Sequence, residues 1–225
     1  MSEDLNAKLK LDFRNNLISE IQNQNPGFLQ DKLFLEFGVQ FGESIIDFYN
    51  AYTSNNIDAD FYGFDAFKGL PEELFDEYSP WKIGHFGAEG QIHKNLLSIP
   101  SIKIIKGWFS DTLNESLLTR FGNKKIGLLH MDCDIYSSTV EVLEYVIQND
   151  LLCNGSLILY DDWGAYLMKE KANILGLEEA TEFSMGQSRA HKEIAEKYDL
   201  DFELIHKEVI DPNFYVIALY RYNKK

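Results

Sequence analysis

Apolar positions gather in short runs rich in β-forming side chains, at Lys32–Phe37, Asp60–Phe64, Ile102–Lys106, Ile126–Met131, Gly155–Tyr160 and Phe214–Tyr220. Most of the stretches between them show helical spacing. Ser44–Tyr52 brings Ile45, Ile46, Phe48, Tyr49 and Tyr52 near one face. Thr139–Ile147 does the same with Val140, Leu143, Tyr145, Val146 and Ile147, after a Ser-Ser-Thr start signal. Both read as crossover helices. The alternation predicts an α/β domain. Runs as apolar as Gly127–Leu129 and Leu157–Tyr160 imply a sheet covered on both faces, hence parallel strands joined by right-handed crossovers. Functional groups are then expected at the C-terminal ends of the strands.

Two segments break the alternation. Residues 66–90 carry Phe67, Leu70, Pro71, Phe75, Tyr78, Trp81 and Phe86 among acids and glycines without a period, which predicts a long structured loop and a candidate lid. Residues 163–190, ahead of a helix predicted over Arg189–Tyr198, form a second insertion on the expected substrate side. Residues 1–30 predict a helical extension at the domain edge or in a homo-oligomer contact. Repeats, low-complexity tracts and composition shifts are absent, so residues 1–225 read as a single domain.

Charge and composition narrow the partners. The net charge of −15 disfavours nucleic acid and anionic membrane surfaces, and no basic stripe offsets it. No apolar stretch approaches the roughly 18 residues of a membrane span, and MSEDLNAKLK is too polar for a signal peptide. Cys133 and Cys153 show no CxxC or Cys/His ligand spacing, which fits a reducing compartment and a cytoplasmic location.

Three places carry candidate chemistry. The first is Leu35-Glu36-Phe37-Gly38-Val39-Gln40-Phe41-Gly42-Glu43-Ser44, a strand leaving through a glycine turn into a helix. Glycines there let backbone N–H groups approach a ligand. Two glycines do not make a pyrophosphate-cradling GxGxxG, whereas Glu36 suits a ligand's ammonium group, which a dinucleotide lacks. An ordinary turn with a chance acid is the alternative. The second is Asp65, in Phe61-Tyr62-Gly63-Phe64-Asp65-Ala66-Phe67, placed to accept from both hydroxyls of an adenosine ribose. Capping a turn would also use it. The third is a pair of strand ends, His130-Met131-Asp132-Cys133-Asp134 and Tyr160-Asp161-Asp162-Trp163. Neighbouring strands lie about 4.8 Å apart, so Asp132, Asp161 and Asp162 converge as an all-oxygen set that suits Mg²⁺ and not zinc. The five histidines lack metal-ligand spacing and are expected to be surface or packing residues.

With these residues in place, the chain resembles a class I S-adenosylmethionine-dependent methyltransferase, most closely the macrocin O-methyltransferase family of sugar-modifying, magnesium-dependent enzymes. The motifs LEFGVQFGES, FYGFDAFKGLP, KGWFSDTL, LHMDCDIYSST and ILYDDW carry the resemblance, over roughly residues 32–163. It implies a three-layer, doubly wound, mostly parallel seven-stranded sheet with a C-terminal antiparallel strand. It further implies that Glu36, Gly38, Gln40 and Ser44 hold the methionine part of the cofactor, and that Asp65, with Ala66 and Phe67 beside it, binds the ribose. Gly107, Trp108, Phe109 and Ser110 would lie along the adenine. Asp132, Asp161 and Asp162 would hold the metal, Asp132 also bordering the cofactor and the reacting groups, with Asp134 as general base. The acceptor would be a hydroxyl of a sugar or glycosylated small molecule.

The chain departs from the family in a shorter segment before the first strand, in Trp163 where Tyr is frequent, and in residues 164–190, which do not match. Catechol O-methyltransferases share the metal arrangement more distantly, so a catechol or phenol acceptor stays open. So do a catalytically idle binding module and, against the glycine count, a nicotinamide-dependent oxidoreductase.

Overall fold

The computed structural model describes residues 3–76, 79, 81–89, 91, 94–163, 183–211 and 215–225. The chain runs α1 (Glu3–Gln24), β1 (Leu33–Phe37), α2 (Glu43–Ser54), β2 (Asp60–Asp65), α3 (Lys94–Leu97), β3 (Ile102–Lys106), α4 (Phe109–Thr112) and α5 (Glu115–Phe121). It continues through β4 (Ile126–Met131), α6 (Tyr136–Gln148), β5 (Leu152–Tyr160), α7 (Gly186–Lys197), β6 (Asp201–Asp211) and β7 (Tyr215–Asn223). The strands form one sheet in the order β3-β2-β1-β4-β5-β7-β6. β1 to β5 are parallel, and β7 is antiparallel to both β5 and β6.

Period-two alternation explains why the central strands are apolar throughout. Leu33, Leu35 and Phe37 of β1 join the core beneath α5, α6 and α7, whereas Phe34 joins the core beneath α1 and α2. The helices answer with their own faces. Ile45, Phe48 and Tyr52 of α2 pack on the second side; Val142, Leu143 and Val146 of α6 pack on the first. The result is the expected three-layer arrangement. Burying each such side chain is worth about 1.5–3 kcal/mol, and the Phe34–Phe61 and Phe37–Phe64 stacks, at 4.6 and 4.5 Å between centroids, reinforce the contacts between β1 and β2.

β6 is the element that the apolar runs do not reveal. It is one of the two edge strands, Phe202 through Lys207 are exposed or only partly buried, and charged residues recur along it. α7 begins three residues before the predicted Arg189, and α6 begins at Tyr136. The described part of residues 66–90 forms neither helix nor strand. Its excursion is pinched where Leu70 N–H donates to His85 O (2.8 Å) and Gly84 N–H to Leu70 O (2.9 Å). α1 packs on α2 and is tied there by Arg14 to Asp47 at 3.0 Å. Of the insertion at 163–190, residues 164–182 lie outside the described residues.

Candidate active site

Gly38 is the first residue beyond β1, with φ +96°. A Cβ there would sit 1.7 Å from the Asp132 carbonyl oxygen, so only glycine allows the exits of β1 and β4 to touch. Asp132 N–H donates to Phe37 O (2.9 Å) and Gly38 N–H to Phe64 O (3.0 Å), which locks three strand ends together. The turn is then held by Asp65. Its Oδ2 accepts from the N–H of Val39 (2.9 Å) and of Gln40 (2.7 Å), and its Oδ1 from Phe67 N–H (2.6 Å). A carboxylate has about four acceptor positions, so one remains, on Oδ1. That is one position fewer than the two hydroxyls of a ribose would use.

Beneath the turn lies a buried polar chain. Ser44 Oγ donates to Glu36 Oε1 (2.8 Å), and His130 stands between Glu36 Oε2 at Nδ1 (2.9 Å) and Asp161 Oδ1 at Nε2 (3.3 Å). Glu36 and His130 are wholly buried. Burial by itself lowers the His130 pKa, but the Asp161 and Glu36 carboxylates outweigh it and push the imidazole up to about 10. The ring is a cationic strut linking the ends of β1, β4 and β5.

Asp132, Asp134, Asp161 and Asp162 gather beside it. Asp134 adopts φ +59°, and burial, joined by the charges of Asp162 and Asp132, holds its carboxyl well above the usual carboxylate range. Gln187 of α7 fixes the spacing of the two strand ends: its Nε2 donates to Met131 O (3.1 Å) and its Oε1 accepts from Asp162 N–H (3.2 Å). Ligand atoms of His130, Asp132 and Asp161 lie within 4.8 Å of one another. Both His130 nitrogens already face carboxylates, so the oxygens are the donors left for a cation.

These groups border a cavity of about 560 Å³, within the range of small-molecule sites. Leu70, Pro71, Trp81 and Phe86 of the 66–90 excursion form its outer wall. The excursion is fastened to the starts of two helices. Glu73 Oε2 accepts from Ser137 N–H (2.8 Å), and Asp76 Oδ2 accepts from Gly186 N–H (2.7 Å).

The family described as Macrocin-O-methyltransferase (TylF) matches residues 10–174. The chain belongs to the macrocin O-methyltransferase family. It is therefore an O-methyltransferase by family. No curated protein matches it in sequence. Solved structures share the fold. The O-methyltransferase NovP is 19% identical, with a TM-score of 0.64, over 95% of this chain and 79% of its own. CalS11, a TDP-rhamnose 3'-O-methyltransferase of calicheamicin biosynthesis, is 17% identical at TM-score 0.52, covering 98% and 95%. The SAH-bound methyltransferase PaMTH1 of Podospora anserina is 15% identical at 0.52, covering 100% and 80%.

Within this O-methyltransferase the residues expected from the sequence divide into two groups. Gly38, Gln40, Asp65, Ala66, Gly107, Trp108, Phe109, Ser110 and the four aspartates border the cavity. Glu36, Ser44 and Phe67 do not. Glu36 lies behind the cavity wall, where its two oxygens meet Ser44 and His130, and Phe67 is a core side chain. The expectation that all histidines are surface or packing residues fails at His130. Its signal was position, one residue before Met131 at the end of a buried strand and two before Asp132. Gln187, which the sequence marks only as a helix start, had no signal at all.

Proposed function

We propose that the protein transfers a methyl group from S-adenosylmethionine to a hydroxyl of a sugar or glycosylated small molecule, with a divalent cation, Mg²⁺ or similar, at the aspartate cluster. The observation that carries this reading is the convergence, on one cavity, of the Gly38–Asp65 turn and the Asp132, Asp134, Asp161 and Asp162 carboxylates. The donor set fits the cation. It is made of hard oxygens, and the nearest thiol, Cys133, is buried against Thr139 at 3.6 Å. Asp132, Asp161 and Asp162 would hold the ion, and a divalent cation bound there supplies Lewis acidity that makes a coordinated hydroxyl more acidic. Asp134, on the same cavity wall, accepts the proton that the hydroxyl releases. Gln187 and His130 keep the acids at fixed spacing, and the 66–90 excursion shields the cavity from water. A sugar hydroxyl is a much weaker acid than a phenol, so it has greater need of both aids, which favours a saccharide over a catechol. The TDP-rhamnose acceptor of CalS11 supports the same class.

The test is calorimetric titration with S-adenosylhomocysteine, with NAD as control, followed by methyl transfer to sugar acceptors with and without Mg²⁺. A micromolar or tighter constant, about −8 kcal/mol or better, is expected for S-adenosylhomocysteine and none for NAD. Asp134→Asn should keep that affinity and lower turnover by about 10²- to 10⁴-fold. Turnover that survives EDTA would remove the cation from the reading, and unchanged turnover in Asp134→Asn would remove the base.

A further inference from the structure

Glu141 has no part in the roles above. It lies on α6, borders the cavity and is partly buried; among the described residues its carboxylate has neither a hydrogen-bond donor nor a cation. The charge that bears on it, Asp111, has the same sign, and burial followed by that charge raises its pKa. It caps nothing, because it stands inside the helix Tyr136–Gln148, and its neighbours one turn on, Glu144 and Tyr145, bring no positive charge. A half-buried carboxylate without a partner, lining a cleft, marks a candidate ligand contact.

Its position decides what it contacts. At about 1.5 Å of rise per residue, Glu141 lies about 7.5 Å along α6 from Tyr136, where the helix leaves the aspartate cluster. It therefore does not share the hydroxyls gathered there. α6 packs instead against α4, and the cavity wall at this end is Trp108, Phe109 and Ser110, beyond β3. β3 pairs with β2, Lys106 opposite Asp65, so a nucleoside whose ribose reaches Asp65 directs its base here. Two aromatic side chains and one open acceptor match an aminopurine, which offers a flat face and an exocyclic N–H donor.

We propose that Glu141 is a specificity-determining residue for the base of the methyl donor, accepting a hydrogen bond from the exocyclic amino group of adenine. This rests on the cofactor reading above. The experiment titrates two ligands, S-adenosylhomocysteine and its purine analogue with hydrogen in place of the amino group, into wild type, Glu141→Met and Glu141→Gln. Wild type should prefer adenine by about 10- to 100-fold, the worth of a hydrogen bond to a charged acceptor. Glu141→Met should bind both ligands alike, and Glu141→Gln, whose amide oxygen still accepts, should keep most of the preference. The cycle isolates the contact between this residue and that amino group. Loss of an unpartnered acid leaves the thermal midpoint of the ligand-free protein unchanged or higher, so misfolding does not imitate the result. An equal adenine preference in wild type and Glu141→Met overturns the assignment. Wild type that binds neither ligand refutes the cofactor reading and this inference with it.

Discussion

His130 at the end of β4 and His191 in α7 are both buried, and their surroundings drive them in opposite directions. His130 has a carboxylate at each ring nitrogen and is pushed up to about 10. His191 lies among Tyr160, Trp163, Phe202 and Tyr220, with the Tyr160 hydroxyl 2.9 Å from its Nδ1, and burial pushes it down to about 3. Depth alone favours the neutral ring in both places. The neighbours decide the outcome, and with it the role. The charged ring bridges Glu36 and Asp161; the neutral one packs among the aromatic rings of Tyr160, Trp163, Phe202 and Tyr220.

Removing the charged strut is the most damaging way to break this contrast. His130→Leu leaves Glu36 and Asp161 buried without their shared partner, a loss expected to cost about 3–5 kcal/mol. For a chain of this size that lowers the thermal midpoint by roughly 6–20 °C. His130→Gln, which can still donate to one carboxylate, should fall between the two. Denaturant unfolding checks both variants, and a His130→Leu protein within about 1 kcal/mol of wild type would show that the two acids need no cation.

The same pair shows how far the sequence could be read. β1, β2, β4 and the second half of β5 were legible because burial on both faces leaves an apolar run, as in Ile126–Met131. β6 was not, because an edge strand such as Asp201–Asp211 can alternate charge with Leu204 and Ile205 and still pair. The gathering of Asp132, Asp161 and Asp162 on one cavity was legible because they directly follow strands that are neighbours in the sheet. The partners of His130 and His191 were not, because, Phe202 apart, each ring's neighbours come from segments between 28 and 94 residues away, and no local spacing encodes them. For the same reason the enclosure of Glu36 by Ser44 and His130 leaves no mark in the sequence.

His191 makes a prediction in pH. Its folded pKa lies below the unfolded value of about 6.5, so between the two the unfolded chain binds the extra proton. Stability from the neutral ring is complete above about pH 6.5 and declines as pH falls toward 3. Tyr160, whose hydroxyl faces the ring, is kept neutral by burial, which raises its pKa well above the usual value. Between pH 7 and pH 5 the contribution is about 2 kcal/mol. His191→Phe should flatten the acid side of the stability profile by that amount relative to wild type. A profile parallel to wild type would mean that the ring accepts a proton in the folded state.

The smallest effect separates burial from hydrogen bonding as the cause of that neutrality. Tyr160→Phe removes the hydroxyl beside Nδ1 and keeps the aromatic packing on Trp163 and Tyr220. Losing one neutral hydrogen bond is expected to lower stability by about 1 kcal/mol at pH 7. Desolvation is the cause of the His191 shift, so the acid slope should survive in this variant, although it disappears in His191→Phe. Chemical unfolding at pH 7 and pH 5 measures both quantities on one protein. A slope lost along with the hydroxyl would move the cause to Tyr160, and the contrast with His130 would then be one between two hydrogen-bonding partners instead of between carboxylates and an apolar wall.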